Sequence, residues 1–488
     1  MSSEIVEAFA KLRRDEPDRR LIYLPATNGV ITATDLWTQA AALITAFDAA
    51  RVGADELVIS VIGNVPLAFS LLIACRASNR VLMPLDAGTT AAEVSGFADL
   101  FGASAIVAPR AMGLAANRGA TPLTNTTSLH LASAIAPKPV YRDIAVIKMT
   151  SGSSGRPRAT LTHEAALVSD GRTLASAMDI RADDVQIAAI PCSHSYGLGN
   201  LVMPLLLQGT ALSLRDTFVP HLVPNDARTV GARHLPGVPY MFEHFATHLA
   251  REEWPRSLTR LVSAGAPLSA EAARRFHARF GVKVRPFYGT SETGGIAFDA
   301  GDAPVADGVV GPALPGVEIT LMPSDDAGDH QGWVHVRSSA VSRGYAGDDD
   351  GDAFVRGGYL TGDLAELDES QQLTLLGRVA SFVNVAGRKV QPEEVERVLR
   401  QFPSIADARV VGAEDALRGE CLVACIVVTG AAPTTVELRR FCSSRLAAHK
   451  IPRLFVSVDA IPLTARGKTD RERLRALAQP EMVRARML

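Results

Sequence analysis

Apolar residues along this chain come in short runs that alternate between two periods. Residues 56–62 (Glu-Leu-Val-Ile-Ser-Val-Ile) and 104–108 (Ser-Ala-Ile-Val-Ala) are β-branched runs ending in turn residues, and 66–76 between them has helical character. Strand, helix, strand in that order is the signature of a βαβ unit and a largely parallel sheet. The pattern recurs: the spacing predicts a helix over 162–178, a strand over 185–190, an amphipathic helix over 269–280 and a strand over 282–285. Residues 332–345 instead alternate like antiparallel strands around glycines. Beyond Gly377 and Arg378 the order becomes strand 382–385, helix 392–401, strands 406–411 and 421–428, and helix 435–449. That is a compact α+β unit of small-domain size. No internal repeat or low-complexity segment interrupts the chain.

Composition narrows the class. At 488 residues the chain exceeds what one hydrophobic core normally supports, so at least two domains are expected. Hydrophobic residues at 47% and charged residues at 21% are ordinary for a globular protein. A formal net charge of -2 gives no basic footprint for nucleic acid and none for an anionic membrane surface. The five cysteines are scattered, an odd count that fits a reducing cytoplasm better than a disulfide framework. Cys421 and Cys425 fall in an apolar run that reads as a buried strand. The opening Met-Ser-Ser-Glu-Ile-Val-Glu lacks the basic and apolar regions of a secretory signal, and the most apolar stretch, near Leu201, is too short to span a bilayer. A soluble cytoplasmic protein is expected.

Chemistry enters at Met149-Thr-Ser-Gly-Ser-Ser-Gly-Arg-Pro-Arg-Ala159, which follows the apolar run Ile144-Ala-Val-Ile. Glycines let backbone N–H groups approach a polyanion, and small hydroxyls can ring its oxygens. The residues Thr150, Ser151, Gly152, Ser153, Ser154 and Gly155 could cradle phosphates, with Arg156 and Arg158 supplying charge; a plain flexible surface loop has the same composition. The spacing is not that of a Walker A loop. A second acidic loop, 347–352, reads as a solvated turn and not as a metal site.

Read with the segments downstream, the loop resembles the phosphate loop of the adenylate-forming superfamily of acyl-CoA synthetases, aryl-CoA ligases, peptide-synthetase adenylation domains and luciferases. Pro191-Cys-Ser-His194-Ser-Tyr-Gly197 resembles the family's histidine segment, and Ser263-Ala-Gly-Ala-Pro-Leu268 its adenine segment. Phe287-Tyr-Gly-Thr-Ser-Glu292-Thr resembles the segment whose glutamate meets magnesium, and Tyr359-Leu-Thr-Gly-Asp363 the ribose segment. Gly377-Arg378, Gly387 and Pro392-Glu-Glu-Val-Glu396 fit the hinge and the start of the small domain, and Pro462-Leu-Thr-Ala-Arg-Gly-Lys468 the catalytic-lysine segment. Each is weak alone. Seven in order over residues 20 to 475 are strong.

The resemblance implies a large N-terminal AMP-binding domain over 1–377, built of βαβ-type parallel sheets plus a small β-barrel-like part. A hinge at 378–380 and a small mobile α+β domain over 381–488 would follow. It also implies roles. Lys468 would bridge the carboxylate and α-phosphate, Glu292 would hold Mg²⁺ with Thr150 as a second contact, and Asp363 and Arg378 would hold the ribose. Tyr288 would stack on adenine, with Gly265 and Ala266 passing close by and Gly289, Thr290 and Ser291 completing the nucleotide side. His194 would border the carboxylate pocket. Gly387 and Lys389, with Lys450 and Arg453, would face the thiol and its CoA or carrier. Candidate pocket residues are Tyr196, Gly197 and Asn200; Pro239, Tyr240 and Met241; and Thr293, Gly294 and Gly295.

Three departures stand out. The phosphate loop ends Pro157-Arg158-Ala159 where the family usually has Pro-Lys-Gly, which changes the cation's shape and removes glycine's freedom. Ala380 stands at the pivot, where an acidic residue or a lysine is common. Gly332-Trp333-Val334 stands where Gly-Glu-Ile is common and carries no functional weight. No aspartate lies between Ala188 and Ser213 to hold a substrate ammonium, which disfavours α-amino acids.

The expected activity is an ATP- and Mg²⁺-dependent acid–thiol ligase. It would convert an aryl acid or a medium-chain fatty acid to acyl-AMP with release of pyrophosphate, then pass the acyl group to CoA. The alternatives are a stand-alone ligase that loads an acyl carrier protein, and a catalytically decayed nucleotide- or acyl-binding protein. A monomer or homodimer is expected.

Overall fold

The computed structural model describes residues 3–114, 120–132, 139–150, 158–323, 331–347, 353–378, 383–385, 388–390, 392–415, 419–462 and 473–480. By internal contact the chain forms two compact units. One comprises Met1–Ala87, Ser95–Thr150 and Ala159–Val379; the other comprises Gly88–Val94, Ser151–Arg158 and Ala380–Leu488.

Two parallel-cored sheets dominate the first unit. The seven-stranded sheet runs Ala120–Pro122, Thr127–Leu131, Ala105–Pro109, Leu57–Ser60, Val81–Pro84, Ile144–Thr150, Arg158–His163. Leu57–Ser60 is parallel to both its neighbours, and the helix Pro66–Ala77 makes the crossover to Val81–Pro84. Proline at the helix start supplies a preset φ where an N–H would have no partner anyway. The eight-stranded sheet runs Gly294–Phe298, Val284–Thr290, Arg260–Ser263, His234–Gly237, Val185–Ile187, Ala211–Ser213, Arg20–Leu24, Gly29–Thr32. Its interior pairs are parallel and its two outermost pairs antiparallel. Helices cover these strands, as the alternating pattern predicts.

Residues 309–378 supply a curled antiparallel sheet ordered Val309–Gly311, Leu373–Arg378, Gly358–Leu367, Gln331–Arg337, Glu318–Met322, with Phe354–Val355 pairing beside Gly358–Leu367. In the second unit Arg388–Val390, Val383–Val385, Gly419–Val428 and Ile405–Asp415 form a sheet to which Leu454–Ser457 adds in parallel. The helices Pro392–Leu399 and Thr435–Ser443 share its apolar core. All five cysteines are buried with free thiols, Cys421 and Cys425 in the expected strand.

Element boundaries shift where side-chain hydrogen bonds or tertiary pairing intervene. The helix expected over 162–178 begins at Glu164, because Thr162 sits in the strand Arg158–His163 and shares a 3.0 Å hydrogen bond with Ser342. The helix expected over 435–449 stops at Ser443, and a short 3₁₀ turn covers Ala448–Lys450. Several helices carry no expectation above, among them Glu4–Asp15, and Ala33–Ala49 with its Thr32–Asp35 capping box. The apolar faces of these two bury Phe9, Leu36 and Phe47 in the main core. Each fully buried aromatic contributes roughly 2–3 kcal/mol of transfer free energy. A second core stacks Phe242, Phe245, Trp254, Phe276 and Phe280 at ring separations down to 4.8 Å.

Candidate functional site

Strand ends and tight turns bring the candidate residues of the first unit into position. Val284–Thr290 pairs with Gly294–Phe298, and the reversal between them carries Ser291, Glu292 and Thr293. A Cβ at Gly289 would fall 2.6 Å from the carbonyl oxygen of Gly294, so the two strands approach as closely as they do only because 289 lacks a side chain. Thr293 is fully buried; its hydroxyl bonds Thr290 Oγ1 and the Gly294 carbonyl, each at 3.0 Å. Both threonines therefore hold the turn, and Ser291 stays half-buried on it.

Tyr288 and Asp363 meet. The phenol donates to Asp363 Oδ2 across 2.6 Å, and both residues are 8% exposed. Asp363 lies within the long strand Gly358–Leu367, kinked by Gly362 at φ 72°, and its N–H donates to Thr361 Oγ1. Arg378 is its backbone partner on the neighbouring strand.

Glu292 is the acidic centre of the site. Tyr345 donates to its Oε1 at 3.0 Å, and Tyr359 lies 2.9 Å beyond that phenol. Burial and the adjoining Glu292 charge raise the Tyr359 phenol far above its ordinary range, so it stays protonated. The strand Arg158–His163 packs against this corner: Leu161 and Ala159 exchange backbone hydrogen bonds with 343–346, the segment that carries Tyr345. Ala159 is a fully buried strand residue, so glycine's freedom is not needed at that position, contrary to the expectation of a turn.

Beneath Glu292 lies a cation that the motif comparison missed. Lys148, on the strand Ile144–Thr150, is 5% exposed; burial lowers its pKa while Asp170 and Glu292 oppose that shift. Its only sequence signal was a lysine inside an apolar strand.

His194 caps a three-residue helical turn, Ser195–Gly197, which continues into a π-helical stretch over Leu198–Val202 and then the helix Met203–Gln208. Widened helical turns recur at functional sites. His194 Nε2 stands 3.4 Å from Asp86 Oδ2, with the imidazole 41% exposed. Tyr196 donates to the Val262 carbonyl at 3.0 Å and packs on Phe287 at 5.6 Å, and Gln186 and Asn200 brace the segment. Cys192 lies two residues before His194, but burial pushes its thiol up to about 12, which removes it as a nucleophile. A small, partly open apolar pocket lies beside this segment, lined by Ile62, Leu72, Leu82, Val146, Cys192 and Leu198 among others. Of the expected pocket residues, Met241 packs in the aromatic core and Tyr240 lies partly buried against it, while Gly197, Gly294 and Gly295 are buried turn and strand positions.

Gly265 adopts φ 82° in the turn after Arg260–Ser263, with Ala266 half-buried beside it. In the second unit Lys450 pairs with Glu394 at 2.8 Å and Glu93 at 3.2 Å; burial opposes its charge, but the two carboxylates hold its pKa above the ordinary value. Arg453 leads into Leu454–Ser457, and Lys389 lies on the strand Arg388–Val390. Ser151, Gly152, Ser153, Ser154, Gly155, Ala380, Gly387, Lys468 and the acidic residues 348–352 lie outside the described residues. For Arg378 and Lys389 the strand position is described and the side chain is not.

Among the described residues no group of three or more His, Cys, Asp or Glu could hold a metal ion by itself. A single buried carboxylate such as Glu292 suits Mg²⁺, which takes one or two protein oxygens and completes its shell with phosphates and water. Thr150, at the end of its strand, supplies a hydroxyl of the same hard-donor class.

Residues 9–346 match the AMP-binding enzyme family, and 394–468 match the AMP-binding enzyme C-terminal domain. Triostin synthetase I of Streptomyces triostinicus is 31% identical over 69% of this chain and 65% of its own length. Feruloyl-CoA synthase of Amycolatopsis sp. is 27% identical over 67% of this chain and 68% of its own. Among relatives of this rank the matched part spans 62% to 69% of the relative's length. The amide bond synthetase McbA from Marinactinospora thermotolerans superposes with a TM-score of 0.84 at 25% identity, covering 96% of this chain and 99% of that one. No described helix is long and apolar enough to cross a membrane. With the family match running from the first helix through Tyr345 and resuming over the small domain, the chain belongs to the AMP-binding enzymes, the adenylate-forming superfamily of acyl- and aryl-CoA synthetase type.

Proposed function

We propose that this chain activates a carboxylic acid, an aryl acid or a medium-chain fatty acid, as its acyl-adenylate and passes the acyl group to the thiol of CoA. A phosphopantetheinylated carrier protein is the alternative thiol. What carries the reading is the 2.6 Å bond from Tyr288 to Asp363, which joins the segment of Glu292 to the segment resembling the family's ribose site at one buried point. The uncharged, mostly apolar lining of the small pocket beside His194 favours an acyl or aryl skeleton over a strongly polar one.

The chemistry follows from charge. The substrate carboxylate attacks the α-phosphorus, a P–O bond forms and pyrophosphate leaves; the thiol then attacks the acyl carbonyl and AMP leaves. Both reactants of the first step are anions, so positioning and neutralisation are the main needs. Asp363 accepts from the ribose hydroxyls, Tyr288 offers its ring face to adenine, and Lys468 supplies a mobile positive charge between carboxylate and phosphate. Bound Mg²⁺, held by Glu292 with Thr150, would neutralise phosphate charge. The hinge at 378–380 and the small domain over 381–488 would present Gly387 and Lys389 for the second step, with Lys450 and Arg453 toward the CoA phosphates.

One observation favours a different acceptor. His194 faces Asp86 at 3.4 Å, a pairing suited to taking a proton from an incoming nucleophile, and the similar McbA is an amide bond synthetase. An amine acceptor is therefore the second reading.

Acid-dependent exchange of labelled pyrophosphate into ATP, across a panel of aryl and fatty acids, tests activation. No exchange with any acid would leave a nucleotide- or acyl-binding protein. Adding CoA, a phosphopantetheinylated carrier or an amine to the same reactions decides the acceptor by which acyl product forms. Lys468→Ala should abolish exchange while leaving thioester formation from supplied acyl-AMP largely intact.

A further inference from the structure

The helix Glu164–Ala177 turns one carboxylate, Asp170, toward glycines of the histidine segment and of the strand after Glu292. Asp170 Oδ1 accepts the Gly295 N–H at 2.8 Å. A Cβ at Gly294 would fall 2.5 Å from that same oxygen, and one at Gly199 would fall 2.8 Å from Oδ2. The stretch after His194 and the strand after Glu292 thus both lack a side chain where this carboxylate stands. Around it the walls are apolar: Leu174 would meet a Cβ at Gly199 or Gly295 at 2.8 Å, and Phe287 and Leu314 close the other side of Gly295.

An ionised carboxylate has about four acceptor sites. Among the described residues Asp170 receives one N–H, and no cation comes within the 4.0 Å of an ion pair. Lys148 acts on it only through space: burial raises the Asp170 pKa, and the Gly295 N–H and the Lys148 charge pull it back. Asp170 is half-buried, so the acceptor sites that the protein leaves open have surface through which a donor can reach them.

We propose that Asp170 determines which acid is taken: one whose skeleton carries a hydrogen-bond donor, an amino or hydroxyl group, where it meets the wall made by Gly199, Gly294 and Gly295. This rests on the acid-activating reading above. It also supplies, from a different element, the acidic side chain that the stretch between Ala188 and Ser213 lacks.

Matched acids test it through pyrophosphate exchange: benzoate against its 3- and 4-hydroxy and 3- and 4-amino derivatives, and hexanoate against 6-hydroxy- and 6-aminohexanoate. The wild-type enzyme should prefer the best donor-bearing acid by at least about tenfold in kcat/KM, carried mainly by KM. Preference for 6-amino- over 6-hydroxyhexanoate identifies the donor as a cation, since the alkylamine is protonated and the aminobenzoates are neutral arylamines, and the reverse identifies a neutral group. Asp170→Ala should collapse the ratio toward one, and the near-isosteric Asp170→Asn should weaken the amine preference most. Equal wild-type rates for matched acids, or a ratio unchanged in Asp170→Ala, overturn the proposal while leaving acid activation standing. No exchange with any acid overturns both. The wild-type ratio is decisive even where a variant folds poorly.

Discussion

Tyr288 and Asp363 are 75 positions apart in the chain and 2.6 Å apart in the fold, phenol to carboxylate. The tyrosine thereby occupies one carboxylate oxygen and holds the carboxylate that is proposed above to receive the ribose. Removing the hydroxyl alone separates that positioning from the ring's own contribution. Tyr288→Phe should raise KM for ATP by roughly 5- to 10-fold with little change in kcat, the net cost of about one ordinary hydrogen bond. Asp363→Ala should raise it by about 100-fold or more, since it deletes the ribose acceptor as well. Equal effects from both changes would mean that the bond only braces the sheet.

Glu292 offers a second separation. Its Oε1 accepts from Tyr345, so a structural role would be shared by both partners, whereas a metal role belongs to the carboxylate. Glu292→Gln keeps the shape and one acceptor but loses the charge. The Mg²⁺ concentration for half-maximal exchange should then rise about tenfold or more, and the rate at saturating Mg²⁺ should fall by roughly 100-fold. Tyr345→Phe should alter either quantity by less than about fivefold. Matching losses in the two variants would remove Glu292 from the metal.

These relationships divide by how they are written in the chain. Regular alternation exposed the βαβ elements, and glycine-rich or acid-bearing motifs exposed Tyr288, Glu292 and Asp363, because local spacing encodes both. Long-range pairings left no such trace. Nothing near Asp170 announces that it meets Gly199, Gly294 and Gly295, since the helix and the two turns become neighbours only once the sheets stack. Lys148 interrupts an apolar strand, and its partners lie on separate elements. Ala159 misled for a simpler reason: motif spacing implied a loop, while hydrogen bonds to 343–346 make the position strand.

Gly197 tests how tightly the histidine segment is built. A Cβ there would sit 2.1 Å from the Pro191 carbonyl oxygen and 2.8 Å from its carbon, both backbone atoms that cannot swing aside. Gly197→Ala must therefore push the 191–194 turn, costing roughly 1–3 kcal/mol of strain. Lower Tm with a raised KM for the acid is expected. Gly96→Ala is the control, because a Cβ in the helix Ala91–Phe101 would meet nothing within 4 Å. That change should be neutral or stabilise by about 0.5–1 kcal/mol. A Gly197→Ala enzyme with unchanged Tm and KM would mean that the turn is slack.

Acid should weaken the fold through His234. The ring is 2% exposed, hydrogen-bonds Asp184 at 3.0 Å and adjoins Arg233. Burial lowers its pKa to about 4; Asp184 opposes the shift, and Arg233 and Arg260 add to it. The folded value lies below the unfolded value near 6.5, so between them the unfolded chain binds more protons. Stability is thus full above about pH 6.5 and falls as pH drops toward 4, by on the order of 2–3 kcal/mol. Asp179, held low by Arg260 and Arg233, weakens the fold in the same direction but only below the ordinary carboxylate range, near pH 4. Asp170, raised by burial, acts with the opposite sign and is common to wild type and variant. Urea midpoints for wild type and His234→Gln at pH 7.5 and 4.5 isolate the histidine. The wild type should lose about 2–3 kcal/mol more than the variant between the two pH values, and parallel losses would show that another group controls acid stability.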